Sequence, residues 1–313
     1  MLASYKKHTM LQTAPPMKDG VSPSRIYLEK LNNTPKNLLV FLCQKFPHVS
    51  FDEWQARFEN GDVWSDTTEG GFVPLMSDTP YLHGRTIYYY RSLACEIVVP
   101  FDYQILFEND EFMVVDKPHF LAVTPSGNHV KQTLLTRLKA DTDNANLSPI
   151  HRLDKETAGL ILVSKNPTTR HLYQALFANH AITKVYHAIA TVNHNLTMPM
   201  DVRLHLERGE PFYLMRVNAD KPANTHTHID VLALRGNMAK YELRPSTGKL
   251  HQLRVHLNHL GMPICHDPYY PSVCHKPKDD FTHPLQLLAK YLEFKDPMTG
   301  KWHRFVSRRQ LLL

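Results

Sequence analysis

Short apolar runs of strand length are the feature that most limits how this 313-residue chain can fold. Turn-forming residues bound them, as in β-strands. They outnumber the predicted helices, and the connections between them vary in length. This pattern predicts an α+β fold with a mixed or antiparallel sheet. In the larger part of the chain the predicted strands are 112–115, 160–163, 185–192, 229–234, 240–244 and 285–294, the last being one strand or a strand pair. Two helices are predicted there as well, one that begins at Asn166-Pro167 with Asn166 as its N-cap, and one over 251–260 that ends before Gly261.

The first third of the chain is predicted to hold two regions. Residues 1–36 contain four prolines and scattered charge, so we expect a loosely ordered N-terminal arm. Residues 37–96 are expected to form a small α+β domain with two helices and strands near 63–64 and 86–90. Ser50 and Glu53 predict a capping box at the start of its second helix. Residues 97–313 are then expected to form the main domain.

The charge distribution favours a polyanion as partner. Residues 1–200 contain 19 Lys+Arg and 19 Asp+Glu, whereas residues 201–313 contain 17 and 11, so the whole net charge of +6 lies in the last third. Nucleic acid is the first candidate. No apolar stretch approaches the roughly 20 residues that span a bilayer. The four irregularly spaced cysteines predict free thiols, hence a cytoplasmic location. A monomer is expected.

Asp154 is the acidic residue with the most informative surroundings. It lies between two cations, Arg152 and Lys155, just before the apolar run 160–163. Adjacent cations favour the ionised carboxylate. Such a group suits a nucleophile or base that acts on a negatively charged ligand. A solvated turn or a structural ion pair is the usual explanation of such residues, and it would be preferred if they stood alone.

Two further segments carry candidate binding residues. Around a predicted helix, Lys249 and the first helical amides can hold a phosphate, and Arg254 can pair with a carboxylate or phosphate in a bidentate way. An amphipathic helix with solvated polar residues is the alternative. On a predicted strand, alternation places Lys184 and Tyr186 on one face. The tyrosine can stack on a base or exchange a proton, or it is an ordinary half-buried tyrosine.

Together these segments resemble the RluA family of pseudouridine synthases. Residues 151–160, His-Arg-Leu-Asp-Lys-Glu-Thr-Ala-Gly-Leu, resemble its catalytic-aspartate motif, and Lys184-Val-Tyr186 resembles its tyrosine motif. Residues 247–264 resemble its arginine motif. The resemblance runs in order over about residues 100–305. It also includes Asp116-Lys117-Pro118, Asp267-x-x-Tyr270 and the segment 288–294.

The resemblance implies an isomerase that converts specific uridines of structured RNA into pseudouridine without a metal or cofactor. The base leaves C1′ of the ribose, turns and rejoins through C5, after it has been flipped out of its stack. Asp154 would start glycosidic cleavage by attacking the sugar, by attacking the base or by removing a ribose proton. Arg254 would pair with Asp154, and Tyr186 would stack on the flipped uracil.

The resemblance also implies the remaining binding residues and the class of RNA. Arg152 would fill the space of the flipped base or grip phosphates, and Leu288 would form part of an apolar wall. The further binding candidates are Lys184, Lys249, His251 and Gln252. Residues 37–96 resemble a small alpha-L RNA-binding domain, although acidic residues on its helices make it a degenerate one. Ribosomal RNA is favoured over tRNA because of this extra domain.

Three other functions compete with this interpretation. Cys265-His266 and Cys274-His275 contain zinc-preferred ligand types, but their spacing fits no finger or ribbon. A non-catalytic RNA-binding protein has no need for a carboxylate facing RNA phosphates. A nucleoside hydrolase or glycosidase usually requires a second catalytic acid. Glu156 would be that acid only if the local backbone turned it to the same side as Asp154.

Overall fold

The computed structural model of the chain describes residues 14–67, 69–92, 96–311 and 313. They divide into two compact units, one within 1–94 together with 139–145, and the other made of 95–138 and 146–313. The sequence did not predict that 139–145 would group with the first unit. Among the described residues no helix is long and apolar enough to cross a membrane.

The first unit contains a four-stranded antiparallel sheet and two helices. Its elements are β1 (Ser24–Tyr27), α1 (Leu38–Lys45), α2 (Phe51–Glu59), β2 (Val63–Asp66), β3 (Phe72–Pro74) and β4 (Thr86–Tyr89), with the strand order β1-β4-β2-β3. Ser50 accepts a hydrogen bond from the Glu53 amide, and the Glu53 carboxylate accepts one from the Ser50 amide, which confirms the predicted capping box. That this unit is an RNA-binding domain stays a prediction.

The expected loose arm is wrong for part of its length. Strand β1 pairs with β4 along four residues, from Ser24 opposite Tyr89 to Tyr27 opposite Thr86. An isolated stretch of four residues shows little periodicity, and its strand conformation depends on a partner about 60 residues later. Residues 1–13 of the predicted arm lie outside the described residues.

The second unit is built on a ten-stranded mixed sheet, which confirms the predicted fold class. Its central order is β10-β13-β14-β9-β15-β8-β6-β5, with β16 beside β15 and β7 beside β8. Among the described strand pairs only β8 and β15 run parallel. The described part of this unit contains twelve strands, of which β11 and β12 form a separate two-stranded sheet. They are β5 (Gln104–Glu108), β6 (Phe112–Lys117), β7 (Ser148–Pro149), β8 (Ala158–Ser164), β9 (Ile182–Thr191), β10 (Met200–Leu204), β11 (Leu206–Arg208), β12 (Met215–Val217), β13 (Thr225–Arg235), β14 (Met238–Pro245), β15 (Leu287–Lys295) and β16 (Trp302–Val306).

The second unit also contains α4 (Arg170–Ala178), α5 (Gln252–His259) and the first part of α3 (Leu134–Thr142), as far as Leu138. Every residue of β6 and β8 is buried, because both faces of these strands are covered. Val115 and Ile161 face a cluster that includes Leu134, whereas Val114 and Leu162 face one that includes residues of α4. Because successive side chains of β6 and β8 face two different buried clusters, both strands are continuous apolar runs in the sequence.

One glycine sets the start of β8. Gly159 has a φ of +111°, and a Cβ at this position would lie 2.2 Å from the carbonyl oxygen of Ala289. Gly159 pairs with Ala289 on β15 and with Lys117 on β6, so the neighbouring backbones approach closely. Only glycine fits this position, and it fixes the strand that follows the Asp154 segment.

Two helix predictions differ in outcome. Helix α5 forms as predicted, with Gly261 after its end at a φ of +71°. Helix α4 begins at Arg170 rather than at Asn166-Pro167. Asn166 Oδ1 accepts hydrogen bonds from the backbone and hydroxyl of Thr168. The asparagine therefore closes a local turn instead of capping the helix.

Candidate active site

Asp154 lies on the segment that joins β7 to β8, and a buried lysine fixes this segment. The ammonium of Lys117 donates to the carbonyls of Pro118, Leu121 and Lys155 at 2.8–3.2 Å. Lys117 is fully buried, and burial lowers the pKa of its ammonium to about 7. The lysine thus ties the end of β6 to the residue that follows Asp154.

The Asp154 carboxylate contacts a buried arginine. Arg254 Nη1 donates to Asp154 Oδ2 at 3.1 Å, across 100 positions of sequence, and the arginine is 1% exposed. The other edge of the guanidinium forms a bidentate pair with Asp267, from Nε at 2.8 Å and from Nη2 at 2.6 Å. Burial alone would lower the pKa of Arg254, but the hydrogen bonds that it donates to Asp267 raise the pKa overall. Arg254 is therefore a fixed cation beside Asp154.

Aromatic rings and a histidine complete the surroundings of this ion pair. The guanidinium carbon of Arg254 lies 4.8 Å from the ring centre of Tyr269. The Tyr270 hydroxyl accepts from the Met215 amide and lies 2.9 Å from His251 Nδ1. We infer that the phenol donates its proton to Nδ1, which leaves the Nε2 proton pointing towards Asp154 Oδ2, 3.8 Å away. Burial lowers the pKa of His251, which favours this neutral form.

Strand β9 brings Lys184 and Tyr186 to the same cavity, as its alternation predicted. Burial, and then the nearby charge of Asp154, raise the pKa of the Tyr186 hydroxyl, so that it stays protonated. The Lys184 ammonium donates to the Thr247 carbonyl at 3.5 Å, and burial lowers its pKa. The tyrosine therefore offers a ring and a proton next to Asp154.

The cavity has a volume of about 770 Å³, enough for a nucleotide. Asp154, Tyr186 and Arg254 line it together with Arg152 and Lys249. The side chains of these last two residues are exposed, and neither forms a hydrogen bond or ion pair within the described part of the chain. We call the buried part of the cavity around Asp154 and Arg254 its inner end, and the exposed part with Arg152 and Lys249 its rim.

Gln252 lines the cavity but its polar atoms are occupied by the protein. Its Oε1 accepts from the Thr247 hydroxyl and the Lys249 amide, at 2.8 and 3.1 Å. Its Nε2 donates to the His226 carbonyl and the Thr227 hydroxyl, both at 3.0 Å. Four satisfied hydrogen bonds and 4% exposure indicate that this side chain holds the start of α5. The structure thus points to a structural role instead of the predicted binding role.

The predicted place of Leu288 in the apolar wall is wrong. Leu288 is 1% exposed and packs with Ala158, Ile189 and Leu311, away from the cavity. Its neighbour Leu287 lines the cavity. Successive side chains of a strand point to opposite faces of the sheet. A prediction that is off by one position therefore puts Leu288 in the place of Leu287.

Several site residues were not singled out from the sequence. Asp267 was noted only as part of the resemblance, and Lys117 only as part of Asp116-Lys117-Pro118. One signal could have led to Asp267. Arg254 lies among apolar residues of a predicted helix, and a buried charge needs a partner of opposite charge.

His151 has a structural role. Its Nε2 accepts a hydrogen bond from the Leu162 amide at 3.1 Å, and burial lowers its pKa to about 3.

The residues considered for zinc do not gather into a site. Within the described residues no group of three or more His, Cys, Asp or Glu side chains could hold a metal ion. His266 Nδ1 lies 3.3 Å from the Pro284 carbonyl, and its ring lies 5.1 Å from that of His283.

Comparison with known proteins shows which family the chain belongs to. A model of the family described as RNA pseudouridylate synthase matches residues 111–259. The chain is 30% identical over 240 residues to an uncharacterised RNA pseudouridine synthase of Synechocystis, covering 74% of this chain and 79% of the relative. It is 31% identical over 224 residues to ribosomal large subunit pseudouridine synthase D of Yersinia pestis, covering 66% and 67%.

The chain belongs to the RluA family of RNA pseudouridine synthases. It is accordingly an isomerase that acts on RNA, as the motifs predicted. A solved structure, human RNA pseudouridylate synthase domain containing 1, matches with a TM-score of 0.53 at 23% identity and covers 66% of this chain and 84% of that one. At this identity the match shows the shared fold.

Proposed function

We propose that this pseudouridine synthase uses Asp154 to break the bond between N1 of uracil and C1′ of the ribose. The observation that carries the proposal is the 3.1 Å contact between Asp154 and Arg254 at the closed end of the cavity. The guanidinium is held by Asp267, so it is a fixed hydrogen-bond donor that orients Asp154 before RNA binds. A carboxylate oriented in this way is suited to attack or to accept a proton.

Tyr186 is proposed to receive the flipped uracil. Its ring lines the same cavity, and its hydroxyl remains protonated because burial and Asp154 raise its pKa. The reaction breaks N1–C1′ and forms C5–C1′, while the C5 proton is lost and N1 regains a proton. No net oxidation or hydrolysis occurs. Tyr186 is placed to stack on the base during its rotation and to assist the proton transfer at C5.

The test of this chemistry compares two neighbouring acids. Total RNA labelled with tritium at C5 of uridine releases tritium when C5 is joined to C1′. We expect the wild type and Glu156→Gln to release tritium and Asp154→Asn to release none. Glu156 is a matched control because it is a buried carboxylate two positions away that does not line the cavity. Tritium release by Asp154→Asn would disprove the role of Asp154, and free uracil as the product would favour a glycosidase.

We also propose that the natural substrate is ribosomal RNA. The support is the similarity to ribosomal large subunit pseudouridine synthase D, together with the extra domain before the catalytic unit. Pseudouridine mapping of RNA from cells with and without this protein tests the proposal. Loss of a site in ribosomal RNA would support it, whereas loss confined to tRNA would contradict it. A cytoplasmic location belongs to the same proposal, and the free cysteines Cys43, Cys265 and Cys274 fit it.

A further inference from the structure

An exposed aromatic residue stands at the tip of a hairpin beside the active-site helix. Strands β11 and β12 pair along 206–208 and 215–217, and the loop between them carries Phe212, which is 79% exposed. Its neighbour Tyr213 meets it edge to face at 5.8 Å. At this exposure most of the Phe212 ring remains in water, where an incoming base can reach it.

The hairpin is anchored to the helix that carries Arg254. The Met215 amide donates to the Tyr270 hydroxyl at 2.9 Å, and Met215 packs with Val255 of α5. In the loop, Arg208 Nη1 donates to the Phe212 carbonyl at 3.0 Å. The backbone that presents Phe212 is therefore fixed at both ends, and the ring projects from a rigid support.

A continuous series of rings connects this tip with Asp154. The ring centres of Tyr213 and Tyr269 are 5.5 Å apart, and those of Tyr269 and His251 are 5.4 Å apart. His251 in turn faces Asp154. These inner rings pack against each other and His251 is buried, so they support the hairpin and leave Phe212 as the exposed ring of the series. The ring centres are 5.4–5.8 Å apart at each step, so the hairpin tip lies within reach of the nucleotides that flank a uridine bound at Asp154.

The charges on the hairpin and on the residues just after it balance. Arg208, Arg216 and Lys221 are exposed, and Glu207 pairs with the last two at 2.8 and 2.7 Å. Glu210 and Asp220 are exposed as well. Affinity for RNA at this place would therefore come from stacking on the ring, which accepts any base, and not from charge.

We propose that Phe212, supported by Tyr213, is a stacking platform for an unpaired base of the RNA within a few nucleotides of the target uridine. This inference rests on the proposed function in that Asp154 marks where the target uridine binds. The contact acts on RNA affinity and takes no part in bond breaking. It would add a recognition element outside the cavity that holds the flipped uracil.

The test measures the binding of a fluorescein-labelled single-stranded oligouridylate to Phe212→Ala, Phe212→Leu and Phe212→Trp. We expect the Ala and Leu variants to bind about tenfold more weakly, the size of one lost base stack. The Trp variant should keep wild-type affinity because it keeps a ring. Trp302→Ala is the matched control, since Trp302 is another exposed aromatic residue at 64% exposure, and it should bind as the wild type does.

Two outcomes would overturn the proposal. Unchanged affinity in Phe212→Ala would show that the ring does not contact RNA, and wild-type affinity in Phe212→Leu would show that no stacking is involved. Melting temperatures of all variants check that they fold. Tritium release from uridine-labelled total RNA keeps this proposal apart from the catalytic one. If the wild type released no tritium, the role of Asp154 would fail while the binding comparison would still decide the role of Phe212.

Discussion

The inner end and the rim of the active-site cavity differ in how their charges are held. At the inner end Arg254 is buried and bonded to both Asp154 and Asp267. At the rim Arg152 and Lys249 are exposed and unpaired within the described chain. A buried pair is fixed before the substrate arrives, whereas an exposed side chain can follow a flexible RNA backbone. This difference is the reason for proposing chemistry at the inner end and phosphate attraction at the rim.

Apart from the loss of Asp154 itself, the largest expected effect comes from removing the anchor of Arg254. Asp267→Asn leaves a buried guanidinium without its bidentate partner, which should cost about 3–5 kcal/mol of unfolding free energy. It should also lower the catalytic rate about 100-fold, because Arg254 no longer holds Asp154 in place. Urea unfolding and single-turnover rates measure the two effects. Asp279→Asn, at an exposed acid, is the control, and an equally small effect in both variants would contradict the account.

A second variant tests whether Gln252 has a structural role, like the residues of the inner end, or binds RNA, like those of the rim. If its four hydrogen bonds hold the start of α5, Gln252→Ala should lose about 2–3 kcal/mol of stability. RNA affinity, measured by titration well below the melting temperature, should then change little. Weaker RNA binding with unchanged stability would instead support the binding role that the sequence predicted for Gln252.

The rim residues should show the opposite behaviour. Arg152→Ala and Lys249→Ala should each weaken RNA binding about tenfold and reduce the slope of log affinity against log salt by about 1. Their melting temperatures should stay unchanged, because neither side chain has a partner in the described chain. Filter binding over a salt series provides the slope. A lowered melting temperature would show that these cations are structural.

The smallest expected effect concerns the buried side of α5. Burial lowers the pKa of His256 to about 4, and its Nε2 lies 2.8 Å from the Thr225 hydroxyl. The unfolded chain therefore takes up a proton near pH 6.5 while the folded chain does not, so stability is lost as the pH falls. Between pH 6.5 and 5.5 this residue should cost about 1 kcal/mol. Over this pH range the His256→Gln variant should lose about 1 kcal/mol less unfolding free energy than the wild type, as measured by urea unfolding. A pH dependence equal to that of the wild type would contradict this prediction.

The sequence predicted which residues meet at the inner end better than how they are arranged there. Asp154, Tyr186 and Arg254 could be found because each lies in a local motif, and the structure brings all three into one cavity. The ion pair between Arg254 and Asp267 depends on how a loop folds back on a helix, and no periodicity encodes that. Leu288 was misplaced because a strand that is buried on both sides gives no signal of which face each residue occupies.

Pairing partners limited the rest of the fold prediction. Strand β1 was missed because its pairing with β4 joins distant residues. The hairpin with Phe212 was also missed, since two strands of three residues are too short for an alternation pattern to stand out. Elements with strong local signals, such as the capping box of α2 and the glycine after α5, were predicted correctly.

The single-turnover rate of Asp154→Asn at saturating RNA tests the central claim most directly. The account predicts RNA affinity close to that of the wild type and no pseudouridine, because the amide keeps the shape of the inner end but supplies neither a nucleophile nor a base. Pseudouridine formation at a rate near that of the wild type would contradict it, whatever the affinity.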